Sequence, residues 1–281
     1  MADPKQKPTE RQHWLARFYL KQFAEPMFSD NLCVYEFAKR TWDTTRTPKG
    51  VGWSPHLCSM LDMDGSRTDQ YDQFFKVQIE DPAAPAMRKL AVGEQISDAE
   101  REAVALFVGL TYARGPDLLN GVTTQYLGEL DESQRKELDQ FTKQWCEITN
   151  KDIDQNSLAH FVKPGVLMAI WVWSKSIQQR LIRWKWRLIR TTREMPFVTT
   201  DRPLMAEREV DQDVGLVTFP VSSEIALMMF TGGVLNPNRD PAEEIRQINL
   251  RSIYGAKRFV IACRNAFPGD DALAKRAATK V

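Results

Sequence analysis

Several patterns that would reveal an activity directly are missing from this sequence of 281 residues. The four cysteines form no Cys-x-x-Cys pair and the three histidines form no His-x-x-x-His pair, so we expect no structural zinc site. There is also no Gly-x-Ser-x-Gly motif, no phosphate-binding P-loop and no Gly-x-Gly-x-x-Gly after a strand. No nucleophile or dinucleotide motif therefore identifies a reaction.

Excess charge and long apolar runs are absent as well. The net charge is +1 and the isoelectric point about 7.6, so no overall basic field indicates nucleic-acid binding. The amino terminus lacks the apolar stretch of a signal peptide. The longest apolar run, Gly165–Trp173, is about half as long as a bilayer requires. We therefore expect a soluble, cytoplasmic protein with reduced cysteines and no membrane association.

The periodicity of apolar residues predicts an α+β fold. Helical spacing runs through most of the first two-thirds, with a capping box at Ser97 and Glu100 and a helix that opens at Pro164. Residues 32–37 are predicted to form an early strand, and residues 43–69 a long loop. The last third is rich in β-type runs. We predict a helical first two-thirds packed on a mostly antiparallel sheet formed largely by the C-terminal third.

The same pattern predicts how the chain is divided. Residues 1–11 are expected to be a flexible N-terminus, and residues 268–281 a flexible C-terminal tail. Residues 12–267 are predicted to be a single α+β domain, with a helical lobe at about 12–180 and a sheet lobe at about 181–267. No feature of the sequence indicates an oligomeric state.

A set of short motifs occurs in an order that one protein family shares. They are His13 before the aromatic segment FYLKQF, Glu80 in VQIE, Arg114 in TYARGP, Asp201 in TTDRP, the strand segment FPVSS, and Asn249 in the last helix. In these motifs the chain resembles the bacterial family known as domain of unknown function 4238. Ala16 stands where that family usually has proline, and Thr200 where it usually has serine. The resemblance implies a fold and the location of a site, and it implies no activity.

Asp201 lies at the end of a predicted buried strand, in the stretch PFVTTDRPL. One interpretation is structural, because Asp and Thr side chains in such turns bond to neighbouring backbone N–H groups. The other is functional: a strand end presents Asp201 in a cleft, flanked by Thr200 and Arg202. There the carboxylate would hold a divalent cation or act as a general base.

Arg114 and Glu80 both fall in register with apolar positions of predicted helices. A buried guanidinium needs an anionic partner, so a structural ion pair between these two residues is one interpretation. The other makes Arg114 an anion clamp, since its planar fork matches a phosphate or carboxylate.

Two further features bear on function. One interpretation of His13 is structural, as a residue of the first helical turn with a satisfied hydrogen bond. The other makes it a candidate for proton transfer, with Arg17 close to it in the sequence as a candidate for substrate binding. The basic stretch 180–193 alternates aromatic and basic residues, which is typical of a half-exposed strand. A groove for single-stranded nucleic acid would need both kinds of side chain on one face.

Two functional hypotheses follow from these candidates. The first is a metal-assisted hydrolase of phosphoester bonds, a nuclease-like effector acting on nucleic acid or nucleotides. In it Asp201 and Glu80 hold Mg²⁺ or Mn²⁺ and act in catalysis with His13, while the substrate is bound by Arg114, Thr200, Arg202 and Arg17. The second is a non-catalytic binding or regulatory module, in which the same residues form a buried polar network that fixes the fold.

Overall fold

The computed structural model describes residues 10–25, 30–61, 66–129, 131–149, 158–191, 195–206, 215–232 and 240–262. The predicted C-terminal tail and most of the predicted flexible N-terminus lie outside these ranges. The division into lobes stays a prediction.

Helices account for about half of the structure. They are α1 (Arg17–Leu20) with a 3-10 turn (Lys21–Phe23), α2 (Gln70–Phe75), a π-helical segment (Lys76–Glu80), α3 (Asp81–Ala91), α4 (Asp98–Ala113), α5 (Pro116–Glu129), α6 (Glu132–Thr149), α7 (Leu158–Leu181) and α8 (Pro241–Gly255). The capping box at Ser97 and Glu100 is confirmed. The helix predicted to open at Pro164 begins earlier, so this proline lies inside α7 and removes one backbone donor without ending the helix. Within the described ranges, no helix has the length and apolar character needed to cross a bilayer.

Twelve short strands occur in the described ranges. They are β1 (Arg11–His13), β2 (Leu32–Glu36), β3 (Thr41–Arg46), β4 (Trp53–Pro55), β5 (Met60–Leu61), β6 (Arg67–Thr68), β7 (Lys185–Arg190), β8 (Thr199–Thr200), β9 (Met205–Ala206), β10 (Leu216–Pro220), β11 (Ile225–Phe230) and β12 (Phe259–Ala262). All pairings between them are antiparallel. They form two four-stranded sheets, ordered β7-β11-β10-β9 and β3-β2-β12-β8, and two ribbons, β1-β4 and β5-β6.

The predicted segregation of helices and strands is wrong. One four-stranded sheet joins β2 and β3 from the start of the chain to β8 and β12 from its end, and α8 lies within the last third. The segment predicted to be a long loop contains most of β3 and all of β4, β5 and β6. These strands are short and only partly buried, and they pair through backbone groups, so they leave no alternating apolar pattern in the sequence.

The two four-stranded sheets are tied to the opening segment by one buried tyrosine. The Tyr19 hydroxyl lies 2.6 Å from Thr199 Oγ1 and donates to the Pro220 carbonyl at 2.9 Å. Tyr19 is fully buried, and its ring packs against Phe107 of α4 and Phe219 of β10. A single side chain therefore fixes α1 against β8 of one sheet and β10 of the other.

We predict that Tyr19→Phe destabilises the fold by about 1–3 kcal/mol, because it leaves a buried hydroxyl and a buried carbonyl without their donor or acceptor. Chemical denaturation measures the change. Tyr35→Phe is the matched control, since Tyr35 is also buried in a sheet but its hydroxyl has no hydrogen bond to a described residue. Equal losses in the two variants would contradict the role given to the Tyr19 hydroxyl.

Candidate functional site

The guanidinium of Arg114 is buried in the core and has one carboxylate partner. Arg114 follows the last turn of α4 and is 2% exposed. Its Nη2 donates to Glu80 Oε1 at 2.5 Å. Burial by itself disfavours the charge, but the carboxylates of Glu80 and Asp72 hold the pKa of Arg114 above its usual range. The pair is the structural ion pair anticipated as one of the two alternatives, and its Glu80 end is 18% exposed.

Glu80 is the last residue of the π-helical segment between α2 and α3. In a regular α-helix, residues eight positions apart point in directions about 80° apart. A π-helical turn takes up an extra residue, so Asp72 and Glu80 come to nearly the same side of the helix. The π-helical segment thus turns two carboxylates towards one space.

That space is a cavity of about 700 Å³. Its wall is built by β1, α1, the 3-10 turn, the loop after β3 and the continuous helix from α2 to α3. The lining residues are Arg11, His13, Arg17, Phe18, Lys21, Gln22, Lys49, Asp72, Gln73, Lys76, Glu80, Asp81 and Arg88.

The cavity wall has a surplus of positive charge. Six of the lining side chains are basic and three are acidic. Two of the basic groups have partners, since Lys76 is paired with Asp81 at 2.8 Å and Arg11 stacks over the ring of Trp53. Arg17, Lys21 and Arg88 form no ion pair with any residue that the structure describes. A wall of this kind attracts anionic ligands.

His13 lies at the end of β1 and faces this basic wall. Its Nε2–H donates a hydrogen bond to the Lys49 carbonyl at 3.2 Å, which leaves the lone pair on Nδ1. Burial lowers the pKa of His13, and the nearby charges of Arg17 and Arg114 act in the same direction. The ring is therefore neutral at pH 7, the state that a general base requires.

Asp72 is the second carboxylate of the cavity. Burial raises the pKa of Asp72 to about 6. The positive charge of Arg114 lowers this pKa, while the negative charges of Glu80 and Asp69 raise it. A half-buried acid with a raised pKa in a cavity is typical of a functional position.

Asp201 lies elsewhere and fastens a turn. Its Oδ1 accepts hydrogen bonds from three successive backbone N–H groups, those of Lys257 (2.9 Å), Arg258 (3.1 Å) and Phe259 (3.4 Å). These bonds fix the connection between α8 and β12 beside β8. The Asp201 carboxylate therefore accepts hydrogen bonds from backbone N–H groups, as the structural interpretation of the sequence predicts.

The neighbours of Asp201 are also engaged away from the cavity. Thr200 Oγ1 accepts from the Arg202 N–H at 3.0 Å and donates to the Arg202 carbonyl at 2.8 Å. The Arg202 guanidinium contacts Asp117, which also binds Arg258 at 2.8 Å. None of these residues lines the cavity.

Comparison with known proteins identifies one family. The model described as Protein of unknown function (DUF4238) matches residues 11–266. The chain belongs to the DUF4238 family. No curated protein and no solved structure matches it.

The DUF4238 motifs divide into two groups in this structure. His13 and Glu80 line the cavity together with Lys21 of the FYLKQF segment, and Arg114 is paired with Glu80. Asp201, Thr200 and Arg202 do not join them. Asn249 has a structural contact as well, because its amide accepts from the Val198 N–H and donates to the Pro196 carbonyl.

Two of the predicted roles involve residues that the structure places apart or outside the cavity. Asp201 and Glu80 are not brought to one centre where they could share a metal ion, because Asp201 is bonded to the backbone outside the cavity. Arg114 does not line the cavity and is paired with Glu80, as the ion-pair interpretation describes, and its role as an anion clamp stays a prediction. Within the described ranges, no group of three His, Cys, Asp and Glu side chains is placed to hold a metal ion.

Several residues that line the cavity were not predicted from the sequence to belong to a site. Among them are Asp72, Lys21, Lys49 and Arg88. Asp72 and Glu80 share a side only because of the π-helical segment, and regular helical spacing separates them. The three basic residues come from different elements, so only the fold brings them together.

We predict that Asp72→Asn makes the DUF4238 chain more stable at pH 7. The folded-state pKa of Asp72 is above its unfolded value, so the wild type loses stability as the pH rises from about 4 to about 6. Asn removes this loss, which we expect to be about 2 kcal/mol after solvent at the cavity is allowed for. Denaturation curves between pH 4 and 7 measure the difference between variant and wild type.

Asp81→Asn is the control for this prediction, because Asp81 lines the same cavity but is exposed and ion-paired with Lys76. We expect no gain in that variant. A constant difference between Asp72→Asn and the wild type across the pH range would contradict the burial of Asp72.

Proposed function

We propose that the chain hydrolyses a phosphoester bond of an anionic substrate bound in the cavity. The observation that supports this best is the composition of the cavity wall, where six basic side chains surround a histidine and two partly buried carboxylates. Phosphoryl transfer depends mainly on positioning and on electrostatic stabilisation of the phosphoryl oxygens. The basic wall supplies both, and the histidine supplies a base.

Arg17, Lys21 and Arg88 are the groups that bind the phosphoryl oxygens in this proposal. They lie on α1, on the 3-10 turn that follows it and on α3, and all three line the cavity. Because none of them is ion-paired within the described residues, no carboxylate has to be displaced before a substrate binds.

His13 is the base that activates water. With Nε2 held by the Lys49 carbonyl, Nδ1 can accept a proton from a water molecule placed beside the phosphorus atom. Cys58 is coupled electrostatically to Arg114, and burial raises the pKa of its thiol to about 12. A neutral, buried thiol does not compete as a nucleophile.

A divalent metal ion would have to be held at the cavity differently from the prediction made from sequence. Mg²⁺ is often bound by one or two carboxylates together with phosphate oxygens of the substrate. Glu80 fits only in part, because Arg114 already occupies Oε1. The proposed roles therefore rest on the side chains alone. The assay below tests whether a metal ion is needed by comparing rates with Mg²⁺, with Mn²⁺ and with a chelator.

A non-catalytic module that binds nucleotides or nucleic acid in the same cavity is the second candidate. The observation that favours it is the structural use of the family's own motif residues. Tyr19, Asp201 and Asn249 all bond to backbone or neighbouring side chains and hold the fold. In this candidate the basic wall binds the ligand and His13 has no chemical role.

We expect the purified protein to turn over a member of a panel of RNA, DNA, nucleotides and p-nitrophenyl phosphoesters. The panel is run with Mg²⁺, with Mn²⁺ and with a chelator. His13→Ala should lower kcat by about 10²–10⁴-fold, the usual contribution of a general base. Arg17→Ala should raise KM, because it removes a contact to the phosphoryl oxygens.

Arg246→Ala is the matched control, since Arg246 is a basic residue on α8 paired with Glu243 and does not line the cavity. It should leave both constants unchanged. Binding of a panel member without turnover would reject hydrolysis and support the second candidate. Turnover that His13→Ala leaves unchanged would reject the mechanism.

A further inference from the structure

Asp72 differs from the other acidic residues between 69 and 81 because its carboxylate has no described partner. Asp69 accepts from the Gln73 amide, Glu80 binds Arg114, and Asp81 binds Lys76. No hydrogen bond or ion pair to a described residue engages the Asp72 side chain, although it is partly buried and lines the cavity. An acid held in this way is open to a ligand in the cavity.

We infer that Asp72 is the general acid that protonates the leaving oxygen, and that the substrate is therefore a phosphoester of an aliphatic alcohol such as a sugar hydroxyl. The inference rests on the proposed function and specifies the substrate class. An alkoxide is a poor leaving group unless it receives a proton as the bond breaks. A phosphoanhydride or an activated aryl ester releases a weakly basic oxygen and needs no such acid.

His13 and Asp72 reach the cavity from different elements. In an in-line displacement the attacking and leaving oxygens lie on opposite sides of the phosphorus atom. His13 comes from β1 and Asp72 from α2, so the base and the acid are supplied by two different parts of the cavity wall. The basic groups of α1 and α3 remain available for the non-bridging oxygens.

The surroundings keep Asp72 protonated to higher pH than an exposed aspartate. Burial raises the pKa of Asp72 to about 6. Arg114 lowers this pKa, and Glu80 and Asp69 raise it. The charges that act on Asp72 are those of Arg114 from α4 and of Asp69 and Glu80 on its own helical segment, and the buried thiol of Cys58 is coupled to it. The other charged or titratable groups that line the cavity are Arg11, His13, Arg17, Lys21, Lys49, Lys76, Asp81 and Arg88.

The step balances without any further reactant. His13 Nδ1 takes a proton from water, and the water oxygen forms a bond to phosphorus. The bond from phosphorus to the alcohol oxygen breaks, and that oxygen receives the proton of Asp72. Imidazolium and carboxylate then exchange a proton with solvent, which restores both groups.

The test compares two esters of the phosphoryl group that the wild type turns over, one with methyl alcohol and one with p-nitrophenol. We expect Asp72→Asn to lower kcat for the methyl ester by about 10²–10⁴-fold, and for the p-nitrophenyl ester by less than about tenfold. Glu243→Gln, a carboxylate-to-amide control on α8 outside the cavity, should leave both rates unchanged.

A second measurement needs no variant. Because Asp72 must be protonated, the wild-type rate on the methyl ester should fall about tenfold per pH unit above about pH 6, while the rate on the p-nitrophenyl ester should stay level. The second readout keeps the test decisive if the Asp72→Asn variant folds poorly.

The outcomes separate the inference from the proposed function. Equal losses on the two esters, or equal pH profiles, would overturn the role of Asp72 while hydrolysis stands. Turnover of the p-nitrophenyl ester without any turnover of the methyl ester would overturn the substrate class. Absence of turnover for every phosphoester would reject the proposed function itself, and the inference with it.

Discussion

The requirement that the buried guanidinium of Arg114 be neutralised governs the rest of the site. A guanidinium that is only 2% exposed is tolerated only beside an opposite charge. Glu80, at the end of the π-helical segment, supplies that charge. To reach Arg114, Glu80 has to point into the core from the helix 70–91, which contains a π-helical segment just before the contact. That segment also turns Asp72 to the same side, so one electrostatic constraint accounts for the pair of carboxylates in the cavity.

The polar residues of the DUF4238 motifs fall into two groups, those that hold the fold together and those that line the cavity. Tyr19, Asp201 and Asn249 connect segments that are distant in the sequence, and each satisfies backbone or hydroxyl groups that would otherwise be buried without a partner. Glu80 belongs to both classes, because one oxygen neutralises Arg114 and its exposed part lines the cavity.

The sequence predicted the parts of this structure that have local signals. The capping box of α4, strand β2 and the pairing of Arg114 with Glu80 rest on spacing, burial and charge, and the structure contains them. The sequence did not predict the β-strands between 41 and 68, because half-exposed strands of two to six residues leave no apolar pattern. For the same reason it did not predict that N- and C-terminal strands share one sheet. Asp72 was missed for a related reason, since a π-helical turn changes the register that regular helical spacing assumes.

A double-mutant cycle on Glu80 and Arg114, read as free energies of unfolding, tests this account most directly. Glu80→Gln should cost about 3–5 kcal/mol because it leaves the guanidinium buried and unpaired, whereas Arg114→Met should cost less because the Glu80 carboxylate reaches the cavity. The double variant should recover most of the loss, with a coupling of at least about 2 kcal/mol. Additive losses without recovery would contradict the claim that this ion pair organises the site.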